Sequence, residues 1–149
     1  MNRSLNALLL IILIGAMALA ACGGEAADDP SLEPPLLVTP PSEYASLVNP
    51  DSTSDLAAVE AGKTLYKTNC TSCHGEVGKG DGPATAALVP KPANLADNMG
   101  SFSDGYLYWR ISAGGQMPPF NSAMPAWKNI FTKEQIWQII TYMRTFSPS

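Results

Sequence analysis

Cys70-Thr71-Ser72-Cys73-His74 is the motif of this 149-residue chain that is most informative about its fold. Ahead of it, Leu56, Val59 and Tyr66 recur at helical spacing, and the polar residues 52–54 offer N-cap side chains. This spacing predicts a helix that leads into the motif. Two cysteines three positions apart at a helix end project toward the same side, and the histidine that follows can reach a shared centre.

Two other interpretations of the motif lack parts, and a third remains open. A structural zinc site needs four ligands, whereas His74 is the only histidine and Cys22 is the only further cysteine. A thioredoxin-like pair sits at the start of a helix, and this pair follows a helical stretch and precedes Gly75. A simple disulfide remains as the third alternative. The C-x-x-C-H pattern instead predicts one covalently attached haem c, with thioethers at Cys70 and Cys73 and with His74 as an axial iron ligand.

The N-terminus has the pattern of a secretory signal. Arg3 precedes 15 apolar residues, 7–21, which is short of the roughly 20 that a membrane-spanning helix needs. Leu19-Ala20-Ala21-Cys22 resembles the bacterial lipoprotein processing box, in which the cysteine becomes the lipid-bearing N-terminus. We therefore expect residues 1–21 to be a lipoprotein signal peptide and Cys22 to be lipidated. The third cysteine of this exported chain is then accounted for.

Residues 22–54 are predicted to form an extended tether. They hold six of the 13 prolines and six acidic residues, with no Lys or Arg. Such a segment stays extended, and at about 3.1 Å per residue it would span roughly 100 Å. Two alternatives remain open: a spacer without a role, or a strap in which residues 36–38 and Tyr44 lie along a partner subunit.

Residues 55–149 are predicted to form the folded domain. Their eight basic and seven acidic residues balance to +1, so most of the overall charge of −4 belongs to the tether. No basic stripe indicates nucleic-acid binding. Thr132-Lys133-Glu134-Gln135 is a capping box, and Ile136, Ile139, Ile140 and Met143 follow it at the spacing of one helix face.

Methionine is the natural second iron ligand, because a chain with one histidine cannot supply two. Met1 and Met17 fall in the predicted signal. Met143 falls on the core face of the last helix, and Met99 lies in a loop with no supporting pattern. Met117 and Met124 remain.

From about residue 55 to residue 146 the chain resembles the class I cytochromes c. The resemblance rests on the haem motif, on Gly62 and Tyr66 ahead of it, and on a closing helix with an aromatic residue. Two loop segments also match: a glycine-rich loop (residues 78–83) and a proline-bearing segment (residues 90–95). The resemblance implies an all-α class I fold, with three to four helices around one haem, in which the last helix crosses the first near Gly62 and Tyr142.

The resemblance also implies further site residues. It favours Met124 as the ligand, because Met124-Pro125 matches the family's ligand loop and Tyr142 follows at the expected distance; Met117 stays the alternative since Met117-Pro118 partly repeats the motif. A proline carbonyl is expected to hold the other nitrogen of His74, with Pro92 first and Pro83 second. The remaining candidates lie on a predicted helix over residues 103–113: Tyr106, Tyr108 and Trp109 as walls of the haem, and Arg110 as either a partner of a haem propionate or a solvated charge.

Iron with His and Met on its two faces has no open position for a substrate, which is typical of an electron carrier rather than an enzyme. We therefore expect a monohaem carrier, lipid-anchored on the extracytoplasmic face of a bacterial membrane, that exchanges electrons with membrane redox proteins. It would be either a tethered shuttle or a fixed subunit of a quinol-oxidising complex, and its loops look similar to the monohaem subunit of alternative complex III. A haem enzyme or gas sensor with a labile sixth ligand is the alternative from another class.

Overall fold

The computed structural model describes residues 38–146, and this part of the chain is helical without strands. Six α-helices occur in it: α1 Ser42–Ala45, α2 Leu56–Asn69, α3 Thr71–His74, α4 Leu95–Asn98, α5 Asp104–Ala113 and α6 Lys133–Met143, with a short 3-10 turn at Thr85–Ala87. None of the helices in residues 38–146 combines the length and the hydropathy needed to cross a bilayer. The predicted all-α class is confirmed.

Helix α2 begins one residue later than its polar leader suggested. Asp55 is the N-cap, and its carboxylate accepts hydrogen bonds from the backbone N–H groups of Ala57 and Ala58 at 3.0 and 3.1 Å. Ser52 and Ser54 hydrogen-bond to each other instead. Leu56 was expected on the inner face and is 78% exposed, because the buried face is formed by residues 58, 62 and 66.

Helices α2 and α6 cross at the centre of the fold. The capping box is formed, since Thr132 and Gln135 exchange side-chain to backbone hydrogen bonds. Gly62 lies against α6 so closely that a Cβ there would come within 1.8 Å of the Gln138 carbonyl oxygen. One turn further on, the Tyr66 ring packs on Tyr142 with centroids 5.5 Å apart. The expected crossing at the glycine and the aromatic is therefore present.

Helix α5 carries three of the six buried aromatic residues of the described core, Tyr106, Tyr108 and Trp109. Ser103 caps its first turn and Gly114 ends it, which agrees with the helix predicted over residues 103–113. Seven of its ten residues are buried. At its start Asp104 pairs with Arg144 from the end of α6, and Arg144 also donates to the Phe102 carbonyl oxygen. The ends of α5 and α6 are thereby joined.

The region predicted as a tether differs from expectation in its second half. Residues 41–49 pack on the domain: α1 contacts α5, and the Tyr44 ring lies 6.2 Å from that of Tyr108. The reason is chemical, since Tyr44 and Leu47 are apolar enough to be half-buried against the core. The predicted signal peptide, Cys22 and tether residues 22–37 lie outside the described residues.

Candidate functional site

The C-x-x-C-H motif forms one helical turn at the end of α2. Cys70 is the C-cap of α2, and its N–H donates to the Tyr66 carbonyl oxygen at 2.8 Å. Its own carbonyl accepts from the N–H groups of Cys73 and His74, at 3.2 and 2.8 Å. Both thiols are half-buried and are not joined in a disulfide. The turn thus presents two free thiols and an imidazole within five residues.

The loop that follows the motif locks this turn from behind. The carbonyls of Ser72, Cys73 and His74 accept hydrogen bonds from the N–H groups of Ala84, Gly82 and Gly80, at 2.9, 3.3 and 2.9 Å. In addition, the Thr85 hydroxyl donates to the Cys73 carbonyl oxygen at 2.8 Å, and the Tyr66 hydroxyl donates to the Gly75 carbonyl oxygen at 3.1 Å. The backbone groups of the motif are therefore satisfied without its side chains, which stay available for chemistry.

The His74 imidazole is held in the form that binds a metal. Burial lowers its pKa, and a backbone hydrogen bond with Ala93 opposes part of that effect. Nδ1 is buried and has no hydrogen-bond partner of ordinary geometry, so the Ala93 interaction is weaker than a normal hydrogen bond. A neutral ring with one nitrogen turned to the protein backbone suits iron ligation through the other nitrogen.

The expected backbone acceptor is displaced by one residue. Pro92 was the first choice and Pro83 the second, but the backbone that interacts with His74 is that of Ala93. The Pro92 carbonyl oxygen faces Gly80 instead, where a Cβ would come within 2.5 Å of it. The segment is the predicted one. The choice of carbonyl depends on how the loop turns, which the proline pattern does not specify.

Burial raises the pKa of the Cys70 thiol to about 12, and the neighbouring Cys73 adds to the effect. Cys70 also packs against the hydrophobic core. The thiol is therefore kept protonated and in apolar surroundings, which disfavours binding of a cation.

Both candidate methionines lie in one loop, residues 114–127, which we call the methionine loop. Each is half-buried and packs against the core. The Gly115 N–H donates to the Met124 carbonyl oxygen at 2.9 Å, and the Ser122 N–H donates back to Gly115 at 2.8 Å. Met124 therefore sits at the closed neck of the loop, whereas Met117 lies on its turn. Met143 is buried as a core residue, as predicted, and so is Met99.

Helix α5 meets the methionine loop through Trp109 and Arg110. The Trp109 ring packs edge-on against Phe120 with centroids 5.6 Å apart. The Arg110 guanidinium lies 3.3 Å from the centroid of the Phe120 ring and donates to the Gly114 carbonyl oxygen at 2.8 Å. Tyr106 stacks on Phe102 in the same cluster. Phe120 links these predicted residues and was not singled out in the sequence, although the repeated Met-Pro pattern pointed to its segment.

Arg110 is half-buried, and burial lowers its pKa. The ion pairs recorded within residues 38–146 do not include it. Of the two expectations for this residue, a fully solvated helix charge therefore does not describe it. A partly desolvated guanidinium is well placed to receive an anionic group.

A family model for cytochrome c matches residues 59–147 of the chain. The chain belongs to the cytochrome c family. This cytochrome c carries covalently bound haem c, and the expected class I fold and cofactor are confirmed. The two thiols and the neutral imidazole described above fit that group.

Two relatives are themselves subunits of oxidoreductases. The cytochrome c subunit of the quinone alcohol dehydrogenase of Gluconobacter oxydans strain 621H is 29% identical over 89 residues, which cover 56% of this chain and 18% of that protein. The CcoP subunit of the cbb3-type cytochrome c oxidase of Azospirillum brasilense is 31% identical over 102 residues, covering 68% of this chain and 32% of the relative. The chain thus spans less than a third of the length of these relatives.

Among solved structures, a chain of the reducing HAO-like protein complex of Kuenenia stuttgartiensis superimposes with a TM-score of 0.50. The match is 23% identical in sequence and covers 62% of this chain and 44% of that chain. At this identity the likeness concerns the fold alone.

Proposed function

We propose that this protein is an exported, lipid-anchored monohaem cytochrome c that passes single electrons between membrane redox proteins. In this proposal Cys22 bears the lipid and residues 1–21 are removed. Cys70 and Cys73 form the two thioethers, and His74 and Met124 are the axial ligands. The observation that carries the proposal is the placement of His74: an imidazole with a buried Nδ1 on the same helical turn as two free, half-buried thiols.

When bound, the haem iron accepts and releases one electron, and a thioether ligand favours its reduced state. The chain's own residues keep the surroundings constant during that exchange. Hydrogen bonds from residues 80–84 hold the carbonyls of the motif, so the backbone that carries His74 is fixed. Met124 is fixed in turn by its carbonyl at the loop neck. Little rearrangement accompanies the exchange of an electron when both ligands stay in place.

The choice of Met124 over Met117 has support in the loop geometry. The Met117 carbonyl oxygen accepts from the N–H groups of Phe120 and Asn121, at 3.0 and 3.1 Å, so Met117 begins a local turn. Met124 instead leads directly into Trp127, whose N–H donates to the Ile111 carbonyl oxygen at the end of α5 at 3.1 Å. Met124 is therefore tied to the core on both sides, which suits a permanent ligand.

Paired methionine variants test this assignment. In Met124→Ala we expect loss of the sulfur-to-iron charge-transfer band and a reduction potential lower by on the order of 0.1 V or more. Met117→Ala is the matched control and should retain the band. The reverse pattern would give the ligand role to Met117. Carbon monoxide binding to the reduced wild-type protein at neutral pH would indicate a labile sixth position and would favour a gas sensor or haem enzyme over an electron carrier.

The relatives support a fixed subunit rather than a free shuttle, because both are named as subunits of oxidoreductases. From the similarity of its loops to that subunit, we propose that the protein is the monohaem subunit of a quinol-oxidising assembly of the alternative complex III type. Extraction in mild detergent followed by affinity purification tests this. Stoichiometric co-purification of other subunits is expected, whereas recovery of the cytochrome alone would favour a tethered shuttle. Loss of membrane association in Cys22→Ala tests the lipid anchor.

A further inference from the structure

Residues 41–49, which we call the N-terminal strap, lie on the domain and not beside it. The Tyr44 ring packs on Tyr108 of α5, and Leu47 is half-buried against the same core. The strap also forms its own turn, since the N–H groups of Tyr44 and Ala45 donate to the Pro41 carbonyl oxygen at 2.9 and 3.1 Å. It is thus an ordered part of the domain, located between the predicted lipid anchor and α2.

A polar contact closes the strap at its C-terminal end. The Asn49 N–H donates to the Asp104 carboxylate at 2.9 Å, and the Asn49 side-chain amide donates to the Thr141 hydroxyl at 2.8 Å. Asp104 is held in place by Arg144, with both side chains 24% exposed. Asn49 is therefore bonded to α5 and α6 at once, and it connects the strap to the pair of charges that joins these two helices.

The strap backbone touches α5 at a glycine. A Cβ at Gly105 would come within 2.0 Å of the Tyr44 carbonyl oxygen and 3.5 Å of the Leu47 carbonyl oxygen. These atoms belong to the strap backbone, so they cannot turn aside as a flexible side chain could. Contact at this distance depends on the absence of a methyl group from α5.

The chain enters the strap beside the start of α5. Val38, Thr39 and Pro40 line a surface cavity together with residues 101–103 and Tyr106. Val38 and Pro40 are themselves half-buried. The chain is therefore in contact with the domain from residue 38 onward, well before the predicted boundary at residue 54.

We propose that the strap is the joint that clamps the lipid tether to the cytochrome domain and sets its reach. This rests on the proposed lipid anchor at Cys22. Residues 38–49, which the structure shows on the domain, then add nothing to the reach, whereas released they would add up to roughly 35 Å at about 3.1 Å per residue. The clamp shortens by that length the distance over which the haem can move from the membrane, and it makes the start of α5 the point where the tether leaves the domain.

Gly105→Ala is a wedge that tests the clamp directly. The added methyl meets the Tyr44 carbonyl oxygen, while alanine favours the helix itself. We expect amide hydrogen exchange in residues 44–49 to accelerate at least tenfold, with the far-UV circular dichroism and haem spectrum unchanged. Gly100→Ala is the matched control, because nothing lies within 4 Å of a Cβ at that position. It should exchange at the wild-type rate.

Asn49→Ala provides a second route if the wedge disturbs the whole fold. It removes the hydrogen bond from the Asn49 side-chain amide to the Thr141 hydroxyl. The contact between Gly105 and the strap backbone stays intact. Faster exchange in the strap is expected here as well. Wild-type exchange in both variants would overturn the clamp.

The reach is measured on the lipidated full-length protein bound to phosphatidylcholine bilayers, by neutron reflectometry. Releasing residues 38–49 adds up to roughly 35 Å of chain, so the mean height of the domain should increase in Gly105→Ala but not in Gly100→Ala. Faster exchange with an unchanged height would show that the strap does not set the reach. If the wild-type protein carries no lipid and fails to bind bilayers, the anchor proposal fails, and so does the proposal that the strap sets the reach. The exchange measurement still decides the clamp in that case.

Discussion

Two regions of the molecule are held in place in different ways: the haem motif with the loop that follows it, and the methionine loop. Residues 70–82 are held by hydrogen bonds between neighbours in sequence, as between Gly80 and His74 or Gly82 and Cys73. The methionine loop is closed by its own neck, and it is anchored to the carbonyls of Ile111 and Ser112 at the end of α5. One region is shaped by local sequence, and the other takes its place from a helix that precedes it.

This difference explains why the haem motif was easier to predict from the sequence than the ligand methionine. A motif that builds its own turn carries its chemistry in five consecutive letters. A loop whose position depends on its contacts with α5 can hold two similar Met-Pro pairs, and only packing distinguishes them. Substitutions in the methionine loop should therefore disturb the haem motif less than substitutions in the haem motif disturb the methionine loop.

The largest effect is expected from the cysteines. In the double variant Cys70→Ala/Cys73→Ala, covalent haem should be lost completely, because no other thiol lies in residues 38–146. Haem staining after denaturing electrophoresis measures this. Ser72→Ala, an exposed position between the two, is the control and should stain like the wild type. Met124→Ala should also keep all of its covalent haem, and a stained band in the double variant would contradict the assignment.

An intermediate effect is expected from one glycine in each region. Gly80 has φ +74°, and a Cβ there would come within 2.5 Å of the Pro92 carbonyl oxygen, so Gly80→Ala should lower the free energy of unfolding by about 2–4 kcal/mol. At Gly115 the nearest atom is the Ser122 hydroxyl oxygen, a side-chain atom that can turn away. Gly115→Ala should therefore cost less than about 1 kcal/mol.

Guanidinium unfolding followed by circular dichroism compares the two glycine variants. Equal losses of stability would mean that the methionine loop is as rigid as the motif side. A larger loss in Gly115→Ala would reverse the comparison.

The smallest effect concerns the scaffold that both regions share. Burial raises the pKa of Asp104, but hydrogen bonds from Asn49 and Arg144 outweigh it, and the net pKa lies below the usual value. A carboxyl with a depressed folded-state pKa stabilises the protein above its unfolded pKa of about 3.9, and this stability is lost as pH falls through the folded value. We expect a contribution of about 1 kcal/mol.

Unfolding of the wild type and of Asp104→Asn at pH 7 and pH 3 measures this contribution. The difference between the two proteins should be largest at pH 7 and should shrink toward pH 3. A difference that is constant with pH would assign the effect to packing.

Much of the fold could be predicted because its signals are local. The capping box at Thr132 and the extent of α5 follow from residue chemistry and spacing, and the crossing at Gly62 follows from the family resemblance. The misplaced details depend on distant contacts. Leu56 fits the helical period yet faces solvent, since the core lies on the side of Ala58. The backbone that interacts with His74 is that of Ala93 and not that of Pro92, because a loop can turn its carbonyls independently of its proline spacing.

By itself the sequence determined that this protein attaches haem, because Cys70 to His74 carry that chemistry on one helical turn. The sequence also shows a single histidine, which excludes two histidine ligands from this sequence. Only the tertiary structure decided that Asn49 bonds to both Asp104 and Thr141, 55 and 92 positions away in the chain. The physical reason is that covalent attachment and helix capping act over a few residues. The place of a strap or a loop depends instead on surfaces that exist only after the helices have packed.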